Sequence, residues 1–302
     1  MTQTSISIPS LTPGWNLDAW EYSPTKTRGP HPVVVMAHGL GCNKLLGLAA
    51  FAEEFCAAGY ACIVFDYRRW GGVRRSDGTR RNSVYVSEQQ DDYRTVIKYA
   101  RQQPQYDPHR VVIWGFSFSG GHVLTLASDP VLNVAASMAH NPYCGRPFPP
   151  FQFNRRYITL FAFGLLDLLA DFLNLSPVYI PVVGSPGVPA SIGAPGASEG
   201  FSSVAKDPSD FPNQIAASIF YRAPLHHRPR DSLHLIRRPI LLTAAKGDRI
   251  CPPTPVVETS RIVPTAELVQ VSGDHFDIFK GNADWEKAIE AQLAFLRQYV
   301  PV

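Results

Sequence analysis

Charge is scarce in this sequence: Asp, Glu, Lys and Arg make up 18% of its 302 residues, against about 25% in an average globular chain. With 45% apolar residues, that shortage excludes a disordered chain and a charge-laced coiled coil. The net charge of +3 is too small to suggest nucleic acid as a partner. Cysteine numbers only five, an odd count without metal-ligand spacing. His226, His227 and His234 have no cysteine or carboxylate cluster to complete a set, so no metal is expected. The first nine residues lack a basic head and an apolar stretch, so a cytoplasmic protein with reduced thiols is expected. Long apolar runs are missing too, with one exception. Tyr157 to Leu175 approaches the length of a membrane span, but Asp167, Asp171 and Asn174 share one of its faces. Carboxylates are costly in lipid, so an amphipathic helix is expected rather than a span.

What is present is an alternation of short apolar runs with helical patterns, the signature of parallel βα units. Strands are expected at Val33–Ala37, Ala61–Phe65, Val111–Trp114, Val134–Met138, Pro239–Thr243 and Glu267–Val271. Helical spacing runs through Leu48, Phe51, Ala52 and Phe55, and again through Tyr93, Val96, Ile97 and Ala100. The latter helix has a capping-box pattern at Ser87 and Gln90. Trp285, Ile289, Leu293 and Leu296 form a terminal amphipathic helix. The interval between the strands at Val134 and Pro239 far exceeds the dozen or so residues a crossover needs. It is also rich in proline, which opposes central strands and long helices. The expected organisation is α/β, a doubly wound and mostly parallel sheet, with a core at 1–140 and 233–302 and a cap inserted at 141–232.

Chemistry collects at the strand ends. Val111–Trp114 runs directly into Gly115-Phe116-Ser117-Phe118-Ser119-Gly120-Gly121, the strand–Gly-x-Ser-x-small–helix arrangement of a nucleophile elbow. A small residue is needed on each side of the turn, and Ser119 takes the place of the usual second glycine. Lys246-Gly247-Asp248 follows one later strand, and Gly273-Asp274-His275-Phe276 follows the last. Ser117, Asp248 and His275 thus occur in the chain order of an α/β-hydrolase triad. Asp274, adjoining His275, is the competing acid, but neighbouring side chains on an extended turn diverge. His38-Gly39 after the first core strand marks an oxyanion loop, with the backbone N–H groups of Leu40 and Phe118 as donors. His140, at a strand end below the cap, is a candidate substrate contact. His38 and His122 are read as structural. Arg68, Arg69, Arg74, Arg75, Arg80 and Arg81 are read as a solvated loop, with an acidic carrier protein or phosphate-bearing thioester as the sharper alternative.

These motifs, with Ala58-Gly59-Tyr60 and Asp107-Pro108-His109-Arg110, make the chain resemble α/β-hydrolases from about Pro30 to Tyr299. The resemblance is to the group with dienelactone-hydrolase-like and X-Pro-dipeptidyl-peptidase-like serine esterases. Within it, the chain is most similar to fungal polyketide thiohydrolases and polyketide acyltransferases. The resemblance implies a cofactor-independent serine hydrolase cleaving an ester, thioester or lactone of a largely apolar acyl substrate. That substrate is a small molecule, or a thioester carried by a carrier protein. Acyl transfer to an alcohol or amine uses the same triad, and a non-catalytic ligand-binding homologue is the third class. The apolar helix over 157–175 is expected to roof the pocket with Phe161, Leu165 and Phe172, self-association as a homodimer being the other use for its surface.

Overall fold

The computed structural model describes residues 1–73, 80–145, 154–185 and 187–302. An antiparallel pair, β1 (Thr2–Pro9) and β2 (Asn16–Ser23), precedes the first core strand β3 (His31–Ala37). Then follow α1 (Leu48–Ala57), β4 (Ala61–Phe65), α2 (Val86–Gln102), β5 (Tyr106–Phe116), α3 (Phe118–Ala127) and β6 (Ala136–His140). Between β6 and the next strand of the main sheet lie α4 (Arg155–Phe172), β7 (Tyr179–Ile180), α5 (Ala197–Val204), β8 (Ile215–Ala216) and α6 (Ile219–His226). The chain closes with β9 (Ile240–Ala245), α7 (Pro253–Ile262), β10 (Ala266–Val271) and α8 (Trp285–Tyr299).

The main sheet has the order β1-β2-β4-β3-β5-β6-β9-β10, parallel from β4 to β10. Every residue of β3, β4, β6 and β9 is buried, as expected of strands covered on both faces. The expected parallel strands are all present. The hairpin of β1 and β2 was not anticipated. The capping box is also absent: α2 begins after Tyr85 without a side-chain cap, and Ser87 lies inside the helix.

The four described arginines of the run are paired rather than solvated. Arg68 donates to the buried carboxylate of Asp92 (2.5 Å), and Arg69 forks onto Glu88 (2.8 and 2.9 Å). Arg80 pairs with the buried Asp167, and Arg81 donates to the carbonyls of Gly71 and Val73. These guanidinium groups knit loops to helices. Arg74 and Arg75 lie outside the described residues. No helix among the described residues is long and apolar enough to cross a membrane.

Candidate active site

Between β5 and α3 the chain reverses within one residue, Ser117, whose φ of 58° and ψ of −119° lie in a region that L-residues rarely adopt. The strain is held by the backbone around it. The Ser117 N–H donates to the His140 carbonyl (2.9 Å), and its own carbonyl accepts from Tyr143 (2.8 Å) and Gly121 (3.2 Å). Gly115 permits the turn, because a Cβ there would lie 2.5 Å from the Ser119 carbonyl oxygen. Ser119 is tolerated on the other flank because its hydroxyl is satisfied by Tyr67 (2.9 Å) and Tyr93 (2.7 Å).

The loops after β9 and β10 bring Asp248 and His275 together. His275 Nδ1 lies 2.5 Å from Asp248 Oδ2, with both side chains buried. The other carboxylate oxygen accepts the backbone N–H groups of Ile250 (2.8 Å) and Cys251 (2.7 Å). Three hydrogen bonds therefore fix the acid before any substrate arrives. The His275 ring packs on Phe116, the residue before Ser117, at 4.6 Å between centroids. Nδ1 being committed to the carboxylate, Nε2 is the nitrogen left for proton transfer. Asp274 meets His275 differently: it accepts the His275 backbone N–H (2.7 Å), not the ring.

Two contributors went unread in the sequence. Asn141, with a positive φ of 43°, donates to the His275 carbonyl (2.9 Å) and accepts from the Ala245 N–H (2.9 Å). It ties the ends of β6 and β9 to the histidine loop, and the Asn-Pro dipeptide after a strand was the available signal. Cys251 places Sγ 3.9 Å from Ser117 Oγ.

Ser117 opens onto a cavity of about 580 Å³. Leu40 and Phe118 line it, as do Leu160, Ile180, Ile192, Ile219 and Phe220, with Arg156 and Arg249 as its charged members. Leu40 sits on the loop after β3, where Gly41 has a φ of 72° and leaves no room for a side chain beside Val182. His38 shapes that loop. Its Nδ1 donates to the Gly39 carbonyl (2.9 Å) while Nε2 faces the Tyr67 N–H (3.5 Å), which requires the neutral ring; burial lowers its pKa. A second cavity of about 530 Å³ surrounds Lys44, but its buried ammonium is already held by Asp18 (2.6 Å) and Asp66 (3.0 Å).

Several candidate contacts are not at the cavity. His140 is wholly buried, bonded to Thr243 (2.8 Å) and packed on Trp114. Burial pushes its pKa down to about 3, so it is a neutral core residue. Phe161, Leu165 and Phe172 do not roof the cavity. They are 42%, 48% and 82% exposed, and α4 lends the cavity Arg156, Tyr157 and Leu160 instead. The reason is electrostatic: the acids of α4 turn inward onto arginines, which rolls its apolar face outward. His122 and His227 lie behind the elbow, on Gln89 (2.8 Å) and the Phe118 carbonyl (2.9 Å) respectively. Among the described residues no group of three or more His, Cys, Asp or Glu could hold a metal.

Residues 14–143 match the family described as X-Pro dipeptidyl-peptidase (S15 family). The chain is 34% identical over 285 residues to the quorum-quenching protein AidA of Acinetobacter baumannii, covering 94% of this chain and 91% of that protein. It is 27% identical over 305 residues to the polyketide transferase af380 of Aspergillus fumigatus, covering 99% of each. Among solved structures, the α/β hydrolase GrgF from Penicillium sp. sh18 superposes with a TM-score of 0.82 at 22% identity, covering 100% of both chains.

Proposed function

The chain belongs to the α/β-hydrolase superfamily, and from that footing we propose that it is a serine hydrolase working through Ser117, Asp248 and His275. The observation that carries this reading is the buried 2.5 Å contact between His275 Nδ1 and Asp248, with the ring packed on Phe116, the residue before a serine held in an elbow turn. Ser117 Oγ attacks the acyl carbonyl carbon as its proton passes to His275 Nε2. Asp248 keeps the imidazole in the reactive tautomer and stabilises the imidazolium. The backbone N–H groups of Leu40 and Phe118 receive the negative charge that develops on the carbonyl oxygen. The bond to the leaving oxygen or sulfur then breaks, and His275 returns the proton to it. Water, deprotonated by the same nitrogen, releases the acid and restores Ser117.

The apolar lining favours a largely apolar acyl group, and a polyketide chain extends the fungal relative's name to this protein. Residues 141–232 act as the cap that supplies most of that lining. Arg156 and Arg249, the charged side chains of the lining among the described residues, suit a carboxylate or the phosphate of a carrier-bound thioester. Acyl transfer is the second reading, favoured by the full-length similarity to a polyketide transferase; an alcohol or amine then replaces water in the second half of the cycle. The test is a fluorophosphonate probe. It should label Ser117 alone, and Ser117→Ala should abolish labelling and lower turnover by roughly 10³–10⁶ without altering the circular dichroism spectrum. Labelling elsewhere, or undiminished turnover, would remove the serine mechanism.

A further inference from the structure

Helix α4 presents the wrong face to water. Asp167 is wholly buried, accepting from the Arg80 guanidinium and from the backbone N–H groups of Val178 (2.9 Å) and Ser218 (3.0 Å). Asp171 meets the Tyr85 hydroxyl (2.5 Å) and Arg222 (2.5 Å). With its acids turned in, the helix and its C-terminal extension leave Ile158, Phe161, Phe163, Leu165, Leu166, Leu169, Phe172, Leu173 and Leu175 exposed. Contiguous apolar surface of this kind marks a contact site.

We propose that this face is the contact between two copies of the chain, α4 packing on α4 across a two-fold axis. Three observations select a second copy as the occupant. The first is area. Nine half-exposed Leu, Ile and Phe side chains offer on the order of 800 Å², which is what one partner brings to a stable interface. The second is charge. A two-fold contact sets each patch against itself, so a charged patch would repel its image. The only ionisable residues between 157 and 175 other than Tyr157 are Asp167 and Asp171, and both are turned inward and paired. The third separates a protein from a lipid surface. Helices that lie in a membrane interface carry Lys and Arg along a solvated polar face. The arginines of α4, Arg155 and Arg156, are confined to its N-terminal end, and Arg156 is tied to the carbonyls of Val188 and Ala190. Residues 157–175 contain neither Lys nor Arg, and Asp167 and Asp171 face protein partners. Leu225 on α6, a helix that packs on α4, is exposed as well.

The opposite side of α4 lends Arg156, Tyr157 and Leu160 to the cavity of Ser117. A subunit contact through α4 therefore braces a wall of that cavity from behind, without placing partner residues in it. The proposal does not depend on the reaction catalysed.

Sedimentation velocity between 1 and 50 µM should find a particle of twice 33.3 kDa for the wild type. The double variant Leu166→Glu/Leu169→Glu, and separately Phe172→Glu, should sediment as monomers or raise the dimer dissociation constant at least 100-fold. Both alter side chains already exposed in the single chain, so far-UV circular dichroism should be unchanged. A wild type that is monomeric throughout, or a dimer that survives in both variants, would overturn the proposal. So would a monomeric wild type that floats with phosphatidylcholine vesicles, which would assign the face to lipid.

Discussion

Two neighbouring carboxylates compete for His275, and what separates them is the atom each one holds. Asp248 accepts the hydrogen bond of the ring at Nδ1, whereas Asp274 accepts backbone N–H groups. Asp248→Asn should cost about 10⁴ in single-turnover rate, because an amide there favours the wrong imidazole tautomer. Asp274→Asn should cost no more than about tenfold, by loosening the loop. A larger loss at Asp274 would mean that the orienting acid is misassigned. The elbow and the acid were legible because each is a local pattern tied to a strand end. His140 misled because a strand-end position does not say which way a side chain leaves the sheet; here it leaves towards Thr243 and Trp114. Asn141 was missed because its work, joining the ends of two strands to a third loop, exists only once β6 and β9 are adjacent.

At the scale of elements, α4 shows how a periodicity argument can find a helix and invert it. The helix occurs, but over Arg155–Phe172, two residues earlier at its start and three at its end than the expected 157–175. Hydrophobic periodicity assigns the apolar stripe to the interior, but the pairing of the two acids with protein partners outweighs it. Those partners, Arg80, Tyr85 and Arg222, come from segments far away in sequence, so no local window could reveal them. Asp167→Ala takes one acceptor from the buried Arg80 guanidinium, which keeps Asp171 (3.2 Å) and the Leu175 carbonyl (2.7 Å), and leaves two backbone N–H groups without theirs. The loss should be at most the roughly 3–5 kcal/mol of a broken buried pair. Asp167→Asn, which keeps an acceptor oxygen, should cost less. Denaturant midpoints at constant slope check this; a loss under about 1 kcal/mol for Asp167→Ala would show that the pair does not set the roll of the helix.

At the scale of the whole molecule, the parallel sheet was legible because its strands are apolar runs bounded by turn residues, with helices between them. The β1–β2 hairpin was not, since β1 buries little beyond Ile8 and reads as a polar segment. The short strands β7 and β8 were equally silent: two residues each, they persist through contacts such as Asn213 with Val183 (2.9 Å). What the sheet accomplishes is to deliver the Leu40 loop, Ser117, Asp248 and His275 from four strand ends to one edge. The claim that follows is that an acyl group passes through Ser117. The direct measurement is peptide mass spectrometry of enzyme mixed with a medium-chain thioester and quenched in acid within the first turnover. An acyl adduct is expected on the peptide containing Ser117, and none in Ser117→Ala. An adduct on Cys251 instead, whose sulfur lies 3.9 Å from the Ser117 hydroxyl, or turnover with no adduct on Ser117, would contradict it.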